Sequence, residues 1–179
     1  MWRGPPTPGV DFGLVIPPGP EDLAACRESF LYGDKAFLVD RITSVENAEK
    51  RLLAELDTDR AFPYAQFQRN SVHHPPHVAG ADLIAVTASL GCLHAWLFHE
   101  VRWNAGWSGF GNRIHRADFK KLARLGPPLQ LASKEVRVRT GERRIVLRLE
   151  FEFRQNEDLV YYGDQTAMFL KAPDFSDNE

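Results

Sequence analysis

One run dominates what this chain can become: Val78 to Phe98 (VAGADLIAVTASLGCLHAWLF) is apolar on nearly every side of a helix. A helix without a polar face has to be enclosed, by protein or by lipid. The run matches the ~20 residues that cross a bilayer. Asp82 near its start, His94 in its second half, and Gly80 and Gly91 within it argue against a membrane span, and no second run of this kind occurs. The sequence therefore predicts a buried core helix from about His77 to Glu100.

The flanking segments supply what encloses it. Glu21 to Phe30 has helical spacing, with Leu23, Cys26 and Phe30 on one face, and Gly33-Asp34 breaks it. Ala36 to Val45 reads as a strand; Lys50 to Leu56 fits helix or strand by pattern alone, and its position one short polar link after a strand favours a hairpin partner. Asp57 to Pro76 is loop-like, with Pro63, Pro75 and Pro76. Trp103 to Gly111 reads as a glycine- and tryptophan-rich turn region, followed by weak alternation over Arg113 to Phe119. Leu129 to Arg139 and Arg144 to Phe153 alternate apolar and polar residues in the period of half-buried strands, and Leu159 to Leu170 closes the series. Turns fall at Thr140-Gly141-Glu142 and at Gln155 to Asp158.

Helix, two strands, a long buried helix and about four more strands is an α+β pattern with a mainly antiparallel sheet. Five or six curved strands cover much of one apolar helix, and a second copy of the sheet covers the rest, so a homodimer is expected. The domain is expected over residues 21–172, after an irregular Pro- and Gly-rich arm at 1–20 and before an acidic tail at 173–179. Trp2, Phe12, Leu14, Val15 and Ile16 give the arm a means of packing along the domain.

Charge and cysteine usage narrow the function classes. Twenty-two Lys and Arg against twenty-four Asp and Glu give a formal charge of -2, without the strong positive field of a general nucleic-acid binder. Cys26 and Cys92 form no CxxC, and Cys92 sits in the apolar run as a small hydrophobe, which fits a reducing, cytoplasmic setting. The N-terminus has no apolar stretch of the secretory type.

Three short motifs occur in one order. Phe37-Leu38-Val39-Asp40-Arg41-Ile42 opens the first strand. His73-His74-Pro75-Pro76-His77-Val78-Ala79-Gly80 leads into the long helix. Phe119-Lys120-Lys121 is followed by Leu125-Gly126-Pro127-Pro128-Leu129. In this order they resemble the 3-hydroxyacyl-acyl-carrier-protein dehydratases of fatty acid synthesis, over about residues 20 to 172. The resemblance implies the hot-dog fold, an antiparallel sheet wrapped around one long central helix and built as a dimer. It also implies removal of water from a 3-hydroxyacyl thioester carried by acyl carrier protein or coenzyme A, with no cofactor beyond the phosphopantetheine or coenzyme A that bears the substrate.

That family's catalytic pair is a histidine in the loop before the helix and an acid on the helix. His73, with His74 close behind, matches the histidine. The acid's position, counted from Gly80, is Ala85 here. Asp82 lies three residues earlier on the same helix face and is the candidate replacement. In this reading His73 takes the α proton, as a group with a pKa near neutrality is suited to do. Asp82 serves as helper acid, and the helix start at Gly80 polarises the thioester carbonyl with its free backbone N–H groups. Gly80 also lets the acyl chain approach closely.

With a carboxylate steering water, the same apparatus hydrolyses a thioester, which makes thioesterase the alternative. Ala85 keeps a third reading open, a catalytically silent subunit that binds an acyl chain. Arg113, Arg116, Lys120, Lys121 and Arg124 form a basic cluster, and Arg116, Lys120 and Lys121 are the candidate contacts for a phosphate or an acidic carrier protein. His94 and His99 read as core or interface residues. The mixed spacing of His73, His74 and His77 predicts no metal site.

Overall fold

The computed structural model describes residues 20–172. A first helix, α1 (Pro20–Glu28), buries Cys26. Two short strands, β1 (Arg41–Glu46) and β2 (Arg51–Leu56), form a hairpin. The long helix α2 (Gly80–His99) follows, and then β3 (Trp107–Phe119), β4 (Leu129–Gly141), β5 (Arg144–Gln155) and β6 (Asp158–Lys171). All six strands make one antiparallel sheet in the order β1-β2-β4-β5-β6-β3. This is an α+β architecture with the strands curved around one central helix.

β5 shows why the sheet closes on α2. Ile145, Leu147, Leu149, Phe151 and Phe153 alternate with Val146, Arg148, Glu150 and Glu152, and the first set is buried while the second is half-exposed. The period of two aims every member of the buried row at one face, and α2 lies across that face, in contact with β3, β4, β5 and β6. Leu83, Val86, Leu90, Leu93 and Trp96 of α2 are buried in return. The turn between β5 and β6 is Asn156-Glu157, both with positive φ (49° and 70°), as a tight two-residue hairpin with right-handed strand twist requires.

Two segments depart from the sequence expectation. The predicted strand Ala36 to Val45 becomes a strand only at Arg41. Before it, Phe37, Leu38 and Val39 are fully buried against the helix rather than paired in the ladder. Ser89 on α2 holds them there: its Oγ accepts the Leu38 N–H at 3.1 Å and donates to the Ala36 carbonyl at 3.0 Å.

The predicted turn region Trp103 to Gly111 is a single short turn, Trp103–Ala105, ending at Gly106 with φ 80°. Strand β3 already starts at Trp107. Gly109 is small because the Phe169 ring lies 3.1 Å from where its Cβ would stand, so this glycine serves close packing inside a strand and not a turn. The expected arm, except Pro20, and the acidic tail lie outside the described residues.

Candidate functional site

The segment before α2 is a hairpin-like loop pinned at several points. Ser71 and His74 exchange backbone hydrogen bonds (2.9 and 3.1 Å), and the His74 N–H also reaches Ser71 Oγ at 3.1 Å. Val72 and His73 form the tip of this tight turn and are exposed, Val72 to 95%. His74 is exposed as well and packs edge-on against His77, with ring centroids 5.0 Å apart. His77 is held by Gln68, whose side-chain amide donates to the His77 carbonyl (3.0 Å) and accepts its N–H (3.3 Å). Gln68 carries no sequence signal of this role, because the pairing spans a loop.

Asp82 occupies the first turn of α2 and is fully buried. Its carboxylate accepts the N–H of Tyr64 (3.0 Å) and of Ala65 (2.8 Å), which open a short turn at Ala65–Phe67. Asp82 thus ties the preceding loop to the helix, and no hydrogen bond joins it to His73. Gly80 begins α2 with Ala79 before it in extended conformation and offering no side-chain cap. The group that comes close to Gly80 in the structure is the Phe119 ring, whose Cε1 lies 3.0 Å from the place a Cβ would take.

An apolar cavity of about 360 Å³ lies further along the helix. That size lies within the range of small-ligand sites. α2 contributes Ala85, Ala88 and Cys92, the sheet contributes Gly109 of β3, Phe151 of β5 and Gln165 of β6, and Phe30 and Tyr32 form an aromatic rim. Its polar feature is a chain of hydrogen bonds. Thr87 Oγ1 meets Gln165 Oε1 at 3.0 Å, and Gln165 Nε2 donates to the Tyr161 hydroxyl at 3.0 Å. Burial raises the Cys92 thiol to about 12, so it stays a neutral, inert wall group. Among the described residues, no carboxylate and no imidazole lines this cavity; at the acid position that the resemblance implies, Ala85 presents a methyl group.

The basic cluster is largely paired. Arg116 and Lys120 both bind Asp118 (2.6 and 2.9 Å), and Lys121 binds Asp158 (2.6 Å). The Arg116 hydrogen bond is the main reason that the Asp118 carboxyl is held below its usual range. Lys121 and Arg124 line a second, more polar depression together with Pro75, Pro76 and His77. The structure therefore brings His77, Lys121 and Arg124 together, while it leaves Asp82 inside the protein and His73 and His74 on the outer side of the loop.

A single antiparallel sheet wrapped on one apolar helix is the hot-dog fold, and the chain adopts it. Solved structures agree. A thioesterase from Haemophilus influenzae superposes with a TM-score of 0.54 at 15% identity, covering 83% of this chain and 90% of that one. A variant thioesterase from Pseudomonas aeruginosa gives 0.57 at 13% identity, covering 87% and 96%. The ApeI:P dehydratase heterocomplex from Xenorhabdus doucetiae gives 0.61 at 12%, covering 85% and 93%. No protein-family model matches the chain, and no curated protein matches its sequence.

Proposed function

We propose that the protein takes the acyl chain of a thioester into the cavity beside α2 and acts as an acyl-binding hot-dog subunit, with no acid-base pair among the described residues of the cavity wall. The cavity carries this reading: it is apolar, walled by small residues of α2 and aromatic residues of the sheet, with the Thr87–Gln165 pair as the polar group able to meet a thioester carbonyl. Dehydration needs a base for the α proton and an acid for the leaving hydroxyl. Ala85 supplies neither, and Asp82 spends its charge on two backbone amides. The carrier of the thioester is acyl carrier protein or coenzyme A, with Lys121 and Arg124 at the second depression as phosphate contacts.

A second reading, favoured by the collinear motifs at Phe37, His73 and Phe119, is a dehydratase acting on 3-hydroxyacyl groups. In it His73 or His74 is the base, the Gly80 helix start is the oxyanion site, and a homodimer delivers the loop of one copy to the cavity of the other. The purified chain incubated with 3-hydroxyacyl and simple acyl thioesters, with products followed by mass, separates the readings. Saturable binding without turnover supports the first. Loss of water that disappears in His73→Ala or His74→Ala supports the second. Release of free acid makes the protein a thioesterase, and absence of both binding and turnover overturns the assignment altogether.

A further inference from the structure

The far half of α2 carries a second group of polar side chains that the acyl cavity does not use. His94 is fully buried, and its Nδ1 lies 2.9 Å from Ser133 Oγ on β4. Its other ring nitrogen, Nε2, has no hydrogen-bond partner among the described residues. A buried imidazole nitrogen left unpaired is costly unless something binds it. His99, in the last turn of the same helix, places Nε2 2.6 Å from Glu135 Oε2, also on β4. Both side chains are nearly covered, at 11% and 14% exposure. One nitrogen from each histidine and a carboxylate oxygen of Glu135 all lie within 4.8 Å of one another.

We infer that His94, His99 and Glu135 form a binding site for one divalent transition-metal cation of the zinc class. Two imidazoles and one carboxylate are a donor set that zinc accepts, with ligand bonds of about 2.0–2.2 Å and a fourth position left open. Tetrahedral bonds of that length separate neighbouring donors by roughly 3.4 Å. Donor separations of up to 4.8 Å therefore close by as much as about 1.4 Å around the ion, and the 2.6 Å His99–Glu135 contact opens by about 0.8 Å to admit it.

The outer contacts suit the role. A histidine that binds metal ordinarily donates its other N–H to a neighbour, which fixes the ring and its tautomer. In the tautomer whose Nδ1–H donates to Ser133 Oγ, the His94 Nε2 carries a bare lone pair. The negative end of the α2 dipole falls at His99, which further favours a cation. An ion here would bolt the end of α2 to β4. The residues stand five apart on the helix and thirty-six further along the chain, a spacing with no local motif, so the sequence gives no sign of the site.

Titration of the metal-free protein with Co²⁺ tests this directly. One equivalent should bind and develop the visible absorption of a tetrahedral N/O site, and one equivalent of Zn²⁺ should displace it. His99→Gln and Glu135→Gln, both at the rim of the cluster, should each weaken Co²⁺ binding at least tenfold while leaving the fold intact by circular dichroism. The variant lacking His73, His74 and His77 should bind as the parent does. No saturable binding overturns the inference; so does binding unchanged in both rim variants, or binding lost with the three loop histidines. The readout is independent of acyl binding, so either proposal can fail without the other.

Discussion

At the residue scale, two glycines with similar surroundings on paper should behave differently. A Cβ at Gly163 would stand 2.7 Å from the hydroxyl and 2.8 Å from Cε1 of Tyr161, a side chain that is fully buried and hydrogen-bonded to Gln165. The ring has no room to yield, so Gly163→Ala should cost roughly 1–3 kcal/mol, the range for overpacking. A Cβ at Gly80 meets Phe119 at 3.0 Å, but that ring is 52% exposed and free to swing outward. Alanine also favours the helix there, so the net change should stay within about 1 kcal/mol. Chemical denaturation of both variants checks the pair, and equal losses would contradict it.

The residues also mark where sequence reasoning stopped. The histidines and Asp82 were visible as types, but what each side chain faces depends on the path of a loop of more than twenty residues. Thr87, Gln165 and Gln68 left no trace, since a threonine on an apolar helix or a glutamine in a strand is ordinary until the partner is known.

At the element scale, Asp82 is the tie between loop and helix. Removing its carboxylate leaves the Tyr64 and Ala65 amides without their charged acceptor. Hydrogen bonds to charged groups contribute about 1.5–3 kcal/mol each, and the two share one group, so Asp82→Ala should destabilise by roughly 3 kcal/mol in a denaturant titration. Asp82→Asn, which keeps one acceptor, should lose less.

A second tie joins β5 to β6: Arg148 forks onto Asp164 with contacts of 2.8 and 2.5 Å. That hydrogen bonding is the main cause holding the Asp164 carboxyl below 3.8, against a smaller opposing effect of burial. Because the folded value is the depressed one, the unfolded chain binds the proton first. The stabilisation is full above about pH 4 and drains as pH falls through the lowered folded value. Asp164→Asn should flatten the acid limb of stability against pH below about 4 and leave its slope at neutral pH unchanged.

The elements were the most legible level. β4 and β5, with the tight turns after each of them, follow from a period of two, and the long helix follows from one apolar run; β2 was read from its position, and β3 showed only weak alternation. The boundaries that shifted, at Ala36 and Trp103, did so because tertiary contacts with Ser89 and Phe169 outweighed local pattern.

At the scale of the whole molecule, the described residues of a single copy leave apolar surface uncovered. Ala81 and Ala88 on α2 are exposed, and Phe110, Ile114 and Phe119 stand half in solvent on β3, a thirteen-residue strand at the sheet edge. Long edge strands bearing apolar side chains invite pairing with another chain. The chain should therefore sediment as a dimer, and Ile114→Lys should shift it toward monomer with little change in thermal stability of the protomer. A parent protein that sediments as a monomer at micromolar concentration would contradict this.

The position of β3 also bears on how the chain is made. It leaves the ribosome directly after α2, yet its ladder partner is β6, which begins only at Asp158. Until those later residues emerge, Trp107, Phe110 and Ile114 have nothing to pair with, and the nascent chain carries an open, aromatic-rich strand through most of the synthesis of the sheet. Such non-local pairing forms slowly and exposes the intermediate to aggregation. Completion of the last strand is thus the step that seals the protomer, and any pause or break in translation before it releases a product with its stickiest segment bare.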